Sequence, residues 1–198
     1  MKMSTVICGS INPEELCTDR GELAARLRMP KDAAAEFASE YVNNFLKIIK
    51  PRYCYAKTSV FVNNDGVAEL GFAKIPSYSL EKLLSGCSSV YVAAITLGID
   101  ADIYINRLGI TSGAGSFVAD AVASSLGEAA MDYVNTLLEK EANLTRRFSP
   151  GFGDFELKWQ ESVLGFLRAD NHIGIKLGAN YVMSPRKSIT AIMGVIDK

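Results

Sequence analysis

Histidine is almost missing from this chain: His172 is the single one in 198 residues. A metal cage built from histidines is thereby excluded, and any histidine-dependent acid/base step would rest on one ring. That ring stands in "DNHIGI", just ahead of an apolar stretch, and reads as a structural residue. Cysteine is sparse and scattered. Cys8, Cys17, Cys54 and Cys87 form no CxxC pair and have no histidine near them, so the spacing of a zinc site or redox dithiol is absent and the four read as buried free thiols. Net charge is close to nil, at -1, which leaves no clustered positive field for a phosphate backbone; nucleic acid is not an expected partner. The longest apolar run, "VYVAAI" at residues 90–95, falls far short of the roughly 20 residues that cross a bilayer. The opening "MKMSTVICGSINPEE" turns polar and acidic before a signal-peptide core develops. The expectation is a cytoplasmic protein with no membrane partner.

What is present is a globular composition, 48% hydrophobic and 22% charged, sufficient for one core. Residues 1–198 read as a single domain, with 1–50 a helical N-terminal segment and 51–198 an α+β core. Helical patterns cover 13–27 and 31–49, the second carrying Phe37, Tyr41, Phe45 and Ile48 at helical spacing, with Pro30 in a first turn and Pro51 as the stop. Strand-like composition then flanks "NNDG", whose Asp65-Gly66 predicts a hairpin. A short helix over 80–84 leads to a buried strand in "SSVYVAAITLG", and "DADIYINRLG" predicts a helix closed by Gly109.

The longest element starts at Thr111 or Ser112 as cap and runs to about residue 142. Val118, Val122, Leu126, Ala129, Tyr133 and Leu137 form its expected core face. A short helix over 162–168 follows, and the tail "IGIKLGANYVMSPRKSITAIMGVI" predicts two strands joined at "SPRK". Hairpins separated by helices, with no regular βαβ alternation, argue for an α+β fold: an antiparallel β-sheet with helices packed on it.

Motifs for common chemistries are incomplete. "TSGAGSFV" has two glycines before a helix, but Val118 replaces the third glycine of a dinucleotide loop and no Gly-Lys-Ser/Thr follows, so close helix packing explains it. No GxSxG elbow occurs. "RRFSPGFGDFELKWQ", residues 146–160, is different: two arginines run into a Pro-Gly bend between aromatics. Upstream, Glu128 lies at the edge of the long helix's buried face, where a carboxylate needs a cation or a donor. Glu141 precedes the helix end, and Arg146 and Arg147 follow it. Each charge taken alone reads as a solvated surface residue.

Together, "RFSPGF" and "HIGIKLGANYVMSPRKSITAIMGV" resemble the activation domain of vitamin B12-dependent methionine synthase, its S-adenosylmethionine-binding region. "ASSLGEAA" is similar to the family's helix with a ligand-contacting glutamate, "EKEANLTRR" supplies a second glutamate six residues before the loop arginine, and "AITLG" is similar to a family strand end. The resemblance covers residues 88–195. It implies a stand-alone module of that fold, with Glu128, Glu141, Arg147, Ser149, Gly151 and Phe152 contacting S-adenosylmethionine and with no catalytic base or metal ligand of its own. It further implies a corrinoid or cobalamin carried by a partner, a corrinoid-binding protein or methionine synthase core, reduced by a flavodoxin-like electron donor and then methylated. Two departures stand out: Phe152 occupies a position where the family has tyrosine, and "GDFEL" replaces a Cys-Pro segment. The alternative is a non-catalytic module of the same fold that caps a corrinoid protein, having lost S-adenosylmethionine binding.

Overall fold

A computed structural model describes residues 5–63 and 65–196. Its organising element is the apolar run already noted, now a strand over Cys87–Thr96 (β5). Successive side chains of a strand point to opposite faces, and here both faces are covered: Tyr91, Ala93 and Ile95 enter one core, Val90, Val92 and Ala94 the other. Antiparallel neighbours flank it, Arg52–Val62 (β2) on one side and Ser188–Ile196 (β8) on the other. The far edge of β2 is shared. Ile7–Ser10 (β1) pairs with its start, and Val67–Leu70 (β3) pairs with its end and then with Ala73–Pro76 (β4).

Helices lie on both faces. Arg20–Leu27 (α1), Lys31–Ile48 (α2), Ile99–Thr111 (α4) and Gly113–Glu139 (α5) close the first core, burying among others Leu23, Phe45, Ile105 and Leu126. Tyr78–Leu84 (α3), Gln160–Leu167 (α6) and Ala169–Ile173 (α7) close the second through Leu80, Leu84, Val163, Leu167 and Ile173. This is the expected antiparallel sheet with packed helices. No helix among the described residues is long and apolar enough to cross a membrane.

Several local expectations are corrected. The first helical pattern is a 3-10 turn at Pro13–Glu15 followed by α1, which starts late because Asp19 caps it, accepting from the Glu22 amide at 2.7 Å. Gly109 lies inside α4 instead of closing it; Ser112 ends α4 and caps α5, its hydroxyl accepting from the Gly115 amide at 3.0 Å. The second half of α5 buries Ala130, Met131, Val134 and Leu138, while Ala129, Tyr133 and Leu137 are only partly covered. The helix is enclosed by α1, α2, α4 and the sheet, so its buried surface is wider than one stripe. The tail is not a hairpin. Lys176–Leu177 (β6) and Met183–Ser184 (β7) pair as a separate ribbon, and the turn after the cis Ser184–Pro185 bond crosses to β8, with the Leu97 amide donating to the Lys187 carbonyl at 2.9 Å. His172 is exposed, because α7 turns Ala169 and Ile173 inward. Only Cys54 is a buried thiol; Cys8 and Cys17 lie on the exposed N-terminal strand and turn, and Cys87 is half-covered. In "NNDG" the β2–β3 hairpin forms, with Asn64 outside the described residues.

Candidate functional site

After α5 the chain does not wander off as a loop. Residues 143–149 run antiparallel along the outer edge of β8 as a strap. The Ile196 amide donates to the Asn143 carbonyl at 2.9 Å, Thr145 to Gly194 at 2.9 Å, Phe148 to Ile192 at 3.0 Å, and Ile192 back to Phe148 at 2.8 Å. Ser149 completes it, its hydroxyl donating to the Thr190 carbonyl at 2.6 Å. An otherwise open sheet edge is thereby covered, and Arg147 is held with the rigidity of a strand.

The bend that follows is equally pinned. Gly151 has φ 95°, which glycine adopts without steric cost; its amide donates to the Phe155 carbonyl at 2.7 Å, and the Phe155 ring is fully buried. Phe152 is left at the tip, 64% exposed. Asp154 fastens the bend to α3, accepting from the Ser77 hydroxyl at 2.7 Å and from the amides of Tyr78 at 2.7 Å and Ser79 at 3.2 Å. The Ser77 hydrogen bond is the largest of the contributions that push the Asp154 carboxyl down to about 2.

Between the strap, the start of β8, residues 157–160 and a 3-10 turn at Ala179–Tyr181 opens a cleft of about 590 Å³, within the usual size of a small-molecule site. Phe148, Phe152, Leu157, Tyr181 and Val182 supply apolar wall. Gln160 and Thr190, both buried, also line it, joined by a hydrogen bond from Gln160 Nε2 to Thr190 Oγ1 at 2.9 Å.

Charge is concentrated at Arg147. Its Nη2 lies 2.9 Å from Asp132 Oδ1 and 3.4 Å from Glu128 Oε2, which anchors that end of the guanidinium. Its Nη1 is buried and has no hydrogen-bond partner among the described residues. An unpaired buried donor is costly, and Arg147 is one of the residues that line the cleft. Burial pushes the Glu128 carboxyl above its ordinary value, with the Arg147 guanidinium pulling the other way.

Of the six expected contact residues, Glu128, Arg147, Ser149 and Phe152 line this cleft, and Gly151 makes the bend between lining residues Pro150 and Phe152. Glu141 stands apart, past the far end of α5, where its carboxylate accepts from the Tyr91 hydroxyl at 2.7 Å. Burial, then that hydrogen bond, pushes the Tyr91 phenol up to about 12. Lining residues beyond the expected set include Gln160, Tyr181, Arg186 and Thr190. Gln160 had a readable signal: it heads the 160, 163, 164, 167 stripe of α6, a core position given to a polar side chain. Tyr181 had none. Its φ of 60° follows one of 59° at Asn180, a left-handed pair that asparagine tolerates and tyrosine resists, at roughly 1–2 kcal/mol.

No family model matches this chain, and no curated protein matches it. Among solved structures it is similar to the crystal structure of the MetH reactivation domain bound to AdoHcy, with a TM-score of 0.73 and 14% identity, covering 98% of this chain and 79% of that one. At that identity the likeness shows the fold, and the chain has the fold of that reactivation domain.

Proposed function

We propose that the cleft binds S-adenosylmethionine and that the chain serves as a stand-alone reactivation module for a corrinoid protein. The observation that carries this reading is Arg147: a residue of an aromatic cleft, anchored through Nη2 by Asp132 and Glu128, whose Nη1 has no hydrogen-bond partner among the described residues. Such a group suits a ligand carboxylate with directional hydrogen bonding. Glu128, beside it, offsets the charge of a ligand ammonium. The apolar walls accept the remainder of the molecule, and Ser149 and Gly151 keep backbone close to it. The neighbour of the same fold, solved with AdoHcy, supports the choice of ligand class.

Bound S-adenosylmethionine supplies an electrophilic methyl group on a sulfonium. Transfer of that methyl to a partner's cobalt would require alignment more than a general base, which agrees with a cleft whose lining includes no histidine and a single carboxylate. In this reading cobalamin resides on the partner, a corrinoid protein or methionine synthase core, and electrons come from a separate flavodoxin-like donor. Exposed Phe152, Leu157 and Val182 around the cleft give such a partner an apolar rim to meet.

Calorimetric titration with S-adenosylmethionine tests the reading. Native protein is expected to bind and Arg147→Ala to lose at least about tenfold in affinity, since a hydrogen bond to a charged group is worth roughly 1.5–3 kcal/mol. Absence of binding by native protein at millimolar ligand would refute it.

A further inference from the structure

The cleft has two margins that adjoin separate depressions. At one it grades into a depression with which it shares Glu128, Arg186, Ser188 and Ile189. At the other it meets a depression of about 610 Å³ with which it shares Tyr181 alone. Those two depressions have no residue in common, and Tyr181 alone joins the cleft to the second. The tyrosine is 41% exposed and lines the cleft. The preceding asparagine makes that presentation possible: φ values of 59° and 60° at Asn180 and Tyr181 hold an aromatic residue in a conformation it otherwise avoids. Backbone strain of this kind persists where surrounding structure enforces it, and it clusters at ligand clamps.

We propose that Tyr181 is a specificity-determining residue of the cleft, its ring forming the face on which a flat purine base stacks. The proposal rests on the adenosyl-ligand reading above and assigns the base to a wall of its own. Phe152, the other exposed ring of the cleft, comes from the pinned bend, so base recognition draws on two separately anchored segments. Stacking is tolerant of ring substituents, so Tyr181→Phe retains binding and loss of the ring does not.

Three probes separate this from the reading it rests on: S-adenosylhomocysteine, 5′-methylthioadenosine, which has the base without the amino acid, and S-methylmethionine, which has the sulfonium amino acid without the base. Affinities are measured by calorimetry, with Trp159, the sole tryptophan and part of the 3-10 turn that touches Ala179–Tyr181, as a fluorescence reporter. Tyr181→Ala is expected to weaken the two adenosyl probes roughly 5- to 100-fold and leave S-methylmethionine unchanged; Arg147→Ala is expected to leave 5′-methylthioadenosine unchanged. Tyr181→Gly, which removes the ring and relieves the left-handed strain, should fold at least as well as native protein and bind as poorly as the alanine variant. Native protein that binds 5′-methylthioadenosine but neither amino-acid probe sinks the methyl-donor reading and leaves this one standing. Unchanged 5′-methylthioadenosine affinity in Tyr181→Ala and Tyr181→Gly, or no binding of that probe by native protein at millimolar concentration, overturns the proposal.

Discussion

Arg147 sits beside two carboxylates and still has a nitrogen without an acceptor, whereas Gln160 and Thr190 satisfy each other on the same cleft wall. The contrast separates a group built to meet a ligand from one built to hold the wall. Gln160 is 2% exposed and Thr190 likewise, so removing Gln160 strands the Thr190 hydroxyl, and removing Thr190 leaves Gln160 only the weak Met183 Sδ acceptor. Gln160→Leu should cost about 1–3 kcal/mol in urea unfolding, the penalty of a buried group left unsatisfied. Thr190→Val alone should cost a similar amount. The double variant should recover most of the loss, since two apolar groups of matching shape leave nothing unpaired. If the two losses simply add, the pair is not coupled and its role as a structural tie fails.

At the scale of elements, the site depends on segments that are neither helix nor regular strand: the strap on β8 and the bend pinned by Asp154. Asp154 has its folded carboxyl near 2, below the ordinary 3.8. A lowered folded value means that its contribution to stability is fully present above pH 3.8 and is lost as pH falls through about 2. Hydrogen exchange at the Tyr78 and Ser79 amides reads this directly. Protection should hold above pH 3.8 and disappear towards pH 2, and Asp154→Asn should lack the pH-dependent part; equal acid profiles for the two proteins would refute the link. This segment also shows what sequence reading reaches. The body of α2, the buried strand β5 and the Ser112 cap of α5 depend on neighbours a few residues away, and all were legible. The pairing of residues 143–149 with β8, the separation of β7 from β8, and the strand β1 depend on partners about 45 residues away or more, about which local composition is silent. Arg147 was legible as a candidate through its motif, but its rigidity comes from the strap. Tyr181 was not, because nothing in "GANYVM" announces that a tyrosine will adopt a left-handed backbone.

For the whole molecule, the sheet is a shared wall between two cores. β5 contributes to both, and α1 and α2, from the N-terminal segment, bury Leu23, Leu27 and Phe45 in the same core as α5. Neither core can lose its wall without exposing the other, so the expected single domain should unfold as one cooperative unit. The two sides have separate reporters: Trp159 packs against the second core, while far-ultraviolet circular dichroism is dominated by the long helices α2 and α5 of the first. Urea transitions followed by tryptophan fluorescence and by circular dichroism should therefore coincide in midpoint and slope. A fluorescence transition well below the helical one would mean that the α3–α6–α7 layer opens by itself. The cleft lies on that layer's margin, through Gln160 and Leu157, so separate opening would let a partner or ligand select an unclosed form, and a rigid Arg147 strap would then face a movable wall. Coincident transitions would instead establish that strap, bend and Tyr181 turn are held by one cooperative body, the condition under which a pre-positioned guanidinium can align a methyl donor.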